Sequence, residues 1–327
     1  MRKFEGSAYG SLDAFALTEA DALSPADSEV RIRVEASALG FVDGLIALGR
    51  YQIRPPLPYV PGGEIAGIVD AVGSAVDTFS VGDRVVTWQL GGGLADYVNV
   101  NFKDVDKVPS GLDAIAAAAM LVDYQTAHYA LFERGQLRQG ETVLVLGATG
   151  GVGSAAVQLA VQAGAYVIAA ASTELKREMA RRLGAAATID SSAPDLRTQL
   201  KAAAPQGTVD VIVDPVGGEA FEAMFRSLAK EGRHLVVGFA SGSIPSLPAN
   251  LPLLKSAALI GVEIRHFLAA HPIEAQRARV DLFEKVASGA LKRPAVTTFP
   301  LERAGEALAA TMRRDKAGKV VVLINSS

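Results

Sequence analysis

TVLVLGATGGVGSAAVQLAVQAG, residues 142–164, decides the fold. Its first five residues are apolar or β-branched and form a strand signal, Gly147 ends that strand, and the Ala-, Val- and Leu-rich run from Gly151 onward has the length and composition of a buried helix. Between the two lies Ala148-Thr149-Gly150-Gly151-Val152-Gly153. A strand that passes through such a turn directly into a helix is what binding of a dinucleotide pyrophosphate demands. Ala148 and Gly150 let the backbone approach the phosphates, and Gly153 lets helix and strand pack closely. The helix N-terminus offers N–H groups and a partial positive charge. Residues 148–153 are therefore the expected pyrophosphate cradle. The competing explanation is an ordinary glycine turn without a ligand, and the surrounding sequence speaks against it.

That surrounding sequence alternates strand and helix. Strand AYVIAAAS (165–172) leads into helix TELKREMARRLG (173–184), AATID (186–190) into DLRTQLKAAA (195–204), and VDVIVD (209–214) into GEAFEAMFRSLAKEG (218–232). RHLVVGF (233–239) closes the series. Repeated units of this kind predict a doubly wound parallel sheet with helices on both faces, each crossover right-handed. Upstream, residues 113–135 read as helix, broken around Asp123 and resumed to Gly135. Downstream come the proline-punctuated loop 241–254, a strand ALIGVEI (258–264), a helix over 273–289 and a last strand KVVVLI (319–324). The first third has a different grammar. EVRIRVEASAL (29–39) alternates charged and apolar residues at period two, and EIAGIVDAVGSAV (64–76) and VGDRVVTWQL (81–90) follow with glycine between them, which predicts a compact β-rich, barrel-like domain.

The identity of the nucleotide is read at the end of the second strand. An enzyme using NAD usually has an acid there for the ribose 2′-hydroxyl. Here Ala171-Ser172-Thr173 precedes any acid. Ser172 and Thr173 offer donors to a 2′-phosphate and Lys176 a charge, so NADPH is the expected cofactor; Lys176 as an ordinary solvated lysine is the alternative. Asp190, after the third strand, could lie near the adenosine and counts against that reading.

Composition narrows the chemistry. The chain has 327 residues, half of them hydrophobic, enough for two domains each with its own core. A formal net charge of −3 supplies no basic field for nucleic acid or an anionic membrane. Cysteine is absent, which excludes disulfides, thiolate nucleophiles and cysteine-ligated zinc. The four histidines, His128, His234, His266 and His271, form no metal-binding motif, so no metal is expected. The uncharged run between Glu141 and Glu174 has the length of a membrane span, but its mid-run glycines favour strand, turn and buried helix. Residues 1–20 have no apolar core followed by a cleavage signal, and a cytoplasmic location is expected.

Several motifs together resemble the zinc-free, quinone oxidoreductase-like branch of the medium-chain dehydrogenase/reductase superfamily. PGGEIAGIVDAVGSAVDTFSVGDRVV (Pro61 to Val86), GGGLADYVNV (91–100), AAAAMLVDYQTAHYAL (116–131), GATGGVGSAAVQLA (147–160), DVIVDPVGG (210–218) and GFASGSIPSLPANLPLLK (238–255) occur in the family's order along the whole chain. The resemblance implies a GroES-like catalytic domain from 1–123 and 268–327, a Rossmann domain at 124–267 and an active cleft between them. It implies a homodimer, with ALIGVEI as a candidate pairing strand, and reduction of quinones or α,β-unsaturated carbonyl compounds. By the same resemblance Tyr51 is the proton donor, Tyr124 and Thr126 line the nicotinamide, and the backbone of Phe239 meets its carboxamide. For Tyr51 the alternative is packing beneath PPLPYVPG (55–62); for Thr126 it is a helix N-cap; for Phe239 it is a core ring. The loop GFVDGLIALGRY (40–51) departs from the family, with Gly40 at the usual asparagine and Leu45 at a common tyrosine. Two other functions stay open. One is an enoyl-thioester reductase using Tyr51 with Arg50 and Arg54. The other is an NADPH-binding protein with little turnover.

Overall fold

The computed structural model describes residues 1–313, 316 and 318–325. Its strands are β1 (Arg2–Gly6), β2 (Phe15–Glu19), β3 (Glu29–Leu39), β4 (Glu64–Val72), β5 (Arg84–Trp88), β6 (Tyr97–Asn101), β7 (Val105–Lys107), β8 (Thr142–Val145), β9 (Tyr166–Ala171), β10 (Ala187–Asp190), β11 (Val209–Asp214), β12 (Leu228–Val236), β13 (Ala258–Gly261), β14 (Val296–Pro300) and β15 (Lys319–Leu323). The α-helices are α1 (Phe41–Ala47), α2 (Ala114–His128), α3 (Gly151–Gln162), α4 (Glu174–Arg182), α5 (Leu196–Ala203), α6 (Phe221–Phe225), α7 (Asn250–Lys255), α8 (Ile264–Ala270), α9 (Pro272–Ala287) and α10 (Ala304–Thr311). The chain divides into two compact units, 1–122 with 283–327, and 123–282. The return boundary thus falls inside α9, further along the chain than the expected 268.

In the first unit the described strands form a sheet in the order β14-β15-β3-β4-β5-β7, with β6 pairing β3, and β1 and β2 make a small antiparallel pair. The period-two pattern of Glu29–Leu39 is the cause. Val30, Ile32, Val34 and Ala36 point inward and are buried, while the charged residues between them are half-exposed. β15 lies between β14 and β3, with Val322 opposite Phe299 on one side and Ser37 on the other. Phe4, Phe15, Ile46, Ile65, Leu94 and Leu308 form the centre of one apolar cluster of this unit.

In the second unit the described strands form one all-parallel sheet in the order β10-β9-β8-β11-β12-β13. This is the order of a doubly wound nucleotide-binding sheet. Its direction of winding reverses between β8 and β11, the point at which sheets of this kind form a crevice at the carboxyl ends of their strands. The fold class is α/β, with a Rossmann-type parallel sheet in one unit and a β-rich sheet in the other. Leu144, Ile168, Ile212, Phe225 and Leu228 are among the buried residues of its core.

Four local expectations are corrected. α2 runs unbroken through Asp123, and the irregularity comes later, as π-helical turns over Tyr129–Arg134. The helix expected at 218–232 shrinks to Phe221–Phe225, and the chain joins β12 at Leu228, because Leu228 pairs with Val209 and Glu231 takes φ +63° to enter the strand. The proline-punctuated loop ends in a helix, α7, and the loop 40–51 contains α1.

Candidate functional site

β8 ends at Val145 and the glycine turn follows at once, at the reversal point of the sheet. Gly147 has φ +57°, a conformation open to glycine at little cost, and its carbonyl accepts the Gly150 N–H at 2.9 Å. Ala148 is buried and donates to the Ala170 carbonyl of β9 at 3.2 Å, Thr149 is buried beside it, and Gly150 is the N-cap of α3. A Cβ on Gly153 would overlap the Gly147 carbonyl, so strand and helix approach as closely as the sequence pattern requires. A Cβ on Gly151 would run into the Asp123 carboxylate, which would have to swing away. Gly150, Gly151 and Val152 are half-exposed at the start of a three-turn helix. The first-turn N–H groups of Gly151, Val152 and Gly153 and a positive dipole end in such a setting suit a pyrophosphate, so the cradle fits a dinucleotide.

At the end of β9, Ser172 and Thr173 are exposed. The Thr173 hydroxyl caps α4 by accepting the Lys176 N–H at 3.3 Å, and it keeps its own proton for a further acceptor. Lys176 stands half-buried in the same first turn. Arg177, which the sequence did not single out, turns to the strand end: its guanidinium donates to the Ala171 carbonyl at 3.2 Å and pairs with Glu174 and Asp190, both at 3.0 Å. Asp190 is committed to this network. Hydrogen bonds from Ser192, then the Arg177 charge, hold its carboxyl below the usual carboxylate range. The only signal for Arg177 was its place one residue after Lys176, and which of the two faces the strand depends on helix phase.

The turn Pro215–Gly218 follows β11 on the other side of the reversal point. Gly217 and Gly218 have φ +62° and +80°, and the half-buried Phe239 ring lies so close to Gly217 that a Cβ there would be 2.9 Å away. Tyr124 and Thr126 are both inside α2. Tyr124 is only 1% exposed and its hydroxyl accepts a hydrogen bond from Gln158 of α3 at 3.0 Å, so the phenol pins α2 to the cradle helix. Burial pushes its proton affinity up to about 12, more than the Gln158 bond lowers it. Thr126 is buried in the body of the helix, which removes the N-cap alternative.

In the first unit, Tyr51 is half-buried against the apolar cluster that includes Ile46 and Tyr59. Asp43 reaches back to the Gly40 N–H at 2.8 Å and to the Gly62 N–H at 3.1 Å; burial raises its carboxyl despite those bonds and the nearby Lys319. A Cβ on Gly40 would meet nothing closer than Asp43 and Lys319, at 3.7 and 3.8 Å, so the position is open rather than crowded. Beneath it Lys319 pairs with Glu64 at 2.5 Å, each side chain 6% exposed, and Glu64 also accepts the Val122 N–H at 2.9 Å. Residues this distant in sequence gave no sign of meeting.

The sequence matches the family description "Alcohol dehydrogenase GroES-like domain" over residues 26–110 and "Zinc-binding dehydrogenase" over 151–276. It is 37% identical over 299 residues to the quinone oxidoreductase-like protein 2 homolog of Nematostella vectensis, covering 90% of this chain and 81% of that one. The chain belongs to the medium-chain dehydrogenase/reductase superfamily. Within it the quinone oxidoreductase-like branch is its place, and it is an oxidoreductase of that family. Its structure is similar to Escherichia coli quinone oxidoreductase complexed with NADPH, with TM-score 0.90 and 28% identity over 99% of this chain and all of that one. It is likewise similar to the CurK enoyl reductase, with TM-score 0.89 and 26% identity over 99% of both chains. For the zinc in the family description the residues present do not fit. The sequence has no cysteine, and among the described residues no three His, Asp or Glu side chains are grouped to hold a metal. Among the described residues no helix is long and apolar enough to cross a membrane.

Proposed function

We propose that the chain is an NADPH-dependent reductase of quinones or α,β-unsaturated carbonyl compounds that works without zinc. The observation that carries this is the glycine cradle at the reversal point of the parallel sheet, with Ser172, Thr173, Lys176 and Arg177 at the end of β9, where the acids Glu174 and Asp190 are paired with Arg177. Residues 148–153 bind the pyrophosphate through backbone N–H groups. Ser172 and Thr173 donate to the 2′-phosphate and the two cations balance its charge. NADPH, when bound, supplies the hydride. Thr126 and the Phe239 backbone orient the nicotinamide, Tyr124 secures α2 against α3, and Tyr51 delivers the proton. Conjugation already activates such an acceptor, so positioning and hydrogen-bond donors are sufficient without a Lewis acid. The likeness to the NADPH-complexed Escherichia coli enzyme supports the cofactor. We infer assembly as a homodimer through β13, which ends the order of its sheet.

Oxidation of NADPH and NADH with a simple quinone, an enone and an enoyl-CoA tests the proposal. Turnover with NADPH well above NADH, on quinone or enone, is expected; equal use of both nucleotides refutes the cofactor assignment. The likeness to an enoyl reductase favours a second reading, an enoyl-thioester reductase. Tyr51→Phe separates the two. Loss of enoyl-CoA turnover with quinone turnover kept supports the thioester substrate.

A further inference from the structure

β11 ends in Asp214, which is 1% exposed and carries an unusual load. One carboxylate oxygen accepts the Val216 and Gly217 N–H groups, each at 2.8 Å, and the other meets His234 Nε2 of β12 at 2.9 Å. His234 is wholly buried, its ring 4.3 Å from the Phe221 ring and 6.0 Å from that of Phe225. Its Nδ1 has no hydrogen-bond partner among the described residues. A carboxylate accepts and does not donate, so His234 Nε2 carries the proton in this contact. An apolar residue would pack between these rings at lower cost than a ring leaving one nitrogen unsatisfied. The benefit that offsets this cost lies at Asp214. A buried carboxylate is stable only when hydrogen bonds replace its water, and without His234 one oxygen would have none of these contacts.

What Asp214 holds is the turn Pro215–Gly218 at the sheet's reversal point. Its backbone carbonyl also accepts the Val237 N–H at 2.9 Å, while the carbonyls of Pro215 and Val216 accept Ala240 and Ser241 at 3.1 and 3.0 Å. Val216 reaches across to the glycine turn, where a Cβ on Gly147 would be 3.0 Å from it. One buried pair therefore fixes the turn, the Phe239 segment and the neighbour of the cradle together. We propose that His234 is a positioning residue of the dinucleotide crevice, holding through Asp214 the wall that faces the cofactor; this rests on the assignment of a nicotinamide dinucleotide to that crevice.

The test compares His234→Leu with His234→Gln, which keeps an N–H within reach of Asp214. Hydrogen exchange of the segment 214–218 reads the turn, and fluorescence titration with NADPH reads the crevice. Loss of the one buried hydrogen bond is expected to speed exchange and to weaken NADPH each by about tenfold in the Leu variant. The quinone KM at saturating NADPH stays unchanged, and the Gln variant stays near wild type. A Leu variant with wild-type exchange overturns the proposal, as does equal impairment of the Leu and Gln variants, which marks mere packing. Faster exchange with unchanged NADPH affinity also overturns it while leaving the dinucleotide assignment intact. A wild-type chain that binds neither NADPH nor NADH overturns that assignment, and the cofactor role of His234 with it.

Discussion

Replacing Lys319 by Met removes the cation from a deeply buried ion pair of the first unit and strips Glu64 of that partner. Breaking a buried pair by deleting one partner costs about 3–5 kcal/mol, because the remaining charge is neither solvated nor paired. The reporter is already in place: Trp88 is the chain's single tryptophan and lies directly opposite Glu64 across the β4–β5 ladder. With a urea slope of about 2 kcal/mol/M for a unit of this size, its fluorescence midpoint should fall by about 2 M. Adding Glu64→Gln removes the stranded charge and keeps an acceptor for Val122, so the double variant should recover most of the loss. The coupling energy of that cycle should be about 2 kcal/mol or more. A Lys319→Met midpoint within about 0.3 M of wild type, or a double variant no better than the single, refutes the argument that the pair is a desolvated unit.

Gly153→Ala forces a methyl into the Gly147 carbonyl, which is backbone and cannot swing away; a loss of about 1–3 kcal/mol in the stability of the second unit and weaker NADPH binding are expected, read by thermal melts and fluorescence titration. Arg177→Ala removes a cation from the strand end and frees the Asp190 carboxylate, so NADPH should weaken by about tenfold with NADH unaffected or improved, measured as the ratio of their kcat/KM values. Glu141 forms a two-pronged pair with Arg233, both bonds 2.8 Å. Burial raises its carboxyl, but the Arg233 and Arg138 hydrogen bonds outweigh burial and leave it below its ordinary 4.5. A depressed folded value means stability that is complete above about pH 4.5 and lost as pH falls through the lower folded value. Glu141→Gln should therefore flatten the acid limb of the second unit's urea midpoint, followed by circular dichroism, and an unchanged limb would count against the pair.

Local signals in the sequence were strong wherever one face of an element meets a core. The alternation in Glu29–Leu39 matches β3 end to end, because each inward residue lost to water would cost a full side-chain burial. The α/β order and the glycine cradle were legible for the same reason, since period and turn chemistry are properties of neighbouring residues. Residues 218–232 misled because Phe221, Met224 and Phe225 have helical spacing, yet pairing of Leu228 with Val209 outweighs helix propensity after one turn. The polar pairs were invisible. Asp214 and His234 sit on neighbouring strands, while Glu64 and Lys319 meet from β4 and β15 with β3 between them, and both encounters follow only from the finished sheets. Arg177 was missed by one residue, a rotation of about 100° around the helix.

The position of β15 between β14 and β3 bears on how the chain is made. Residues 319–323 leave the ribosome after every other described strand, yet they fill an interior place in a sheet whose members β3 to β7 emerged before the whole second unit. Until then β3 presents an open edge along Ala36–Leu39, and Glu64 waits for the lysine that will neutralise it. The parallel sheet of the second unit, by contrast, is fully synthesised before β14 and β15 emerge. During biogenesis the nucleotide-binding half can be assembled while the other half is still an unsealed seam, and a chaperone that shields exposed strand edges would act on that seam.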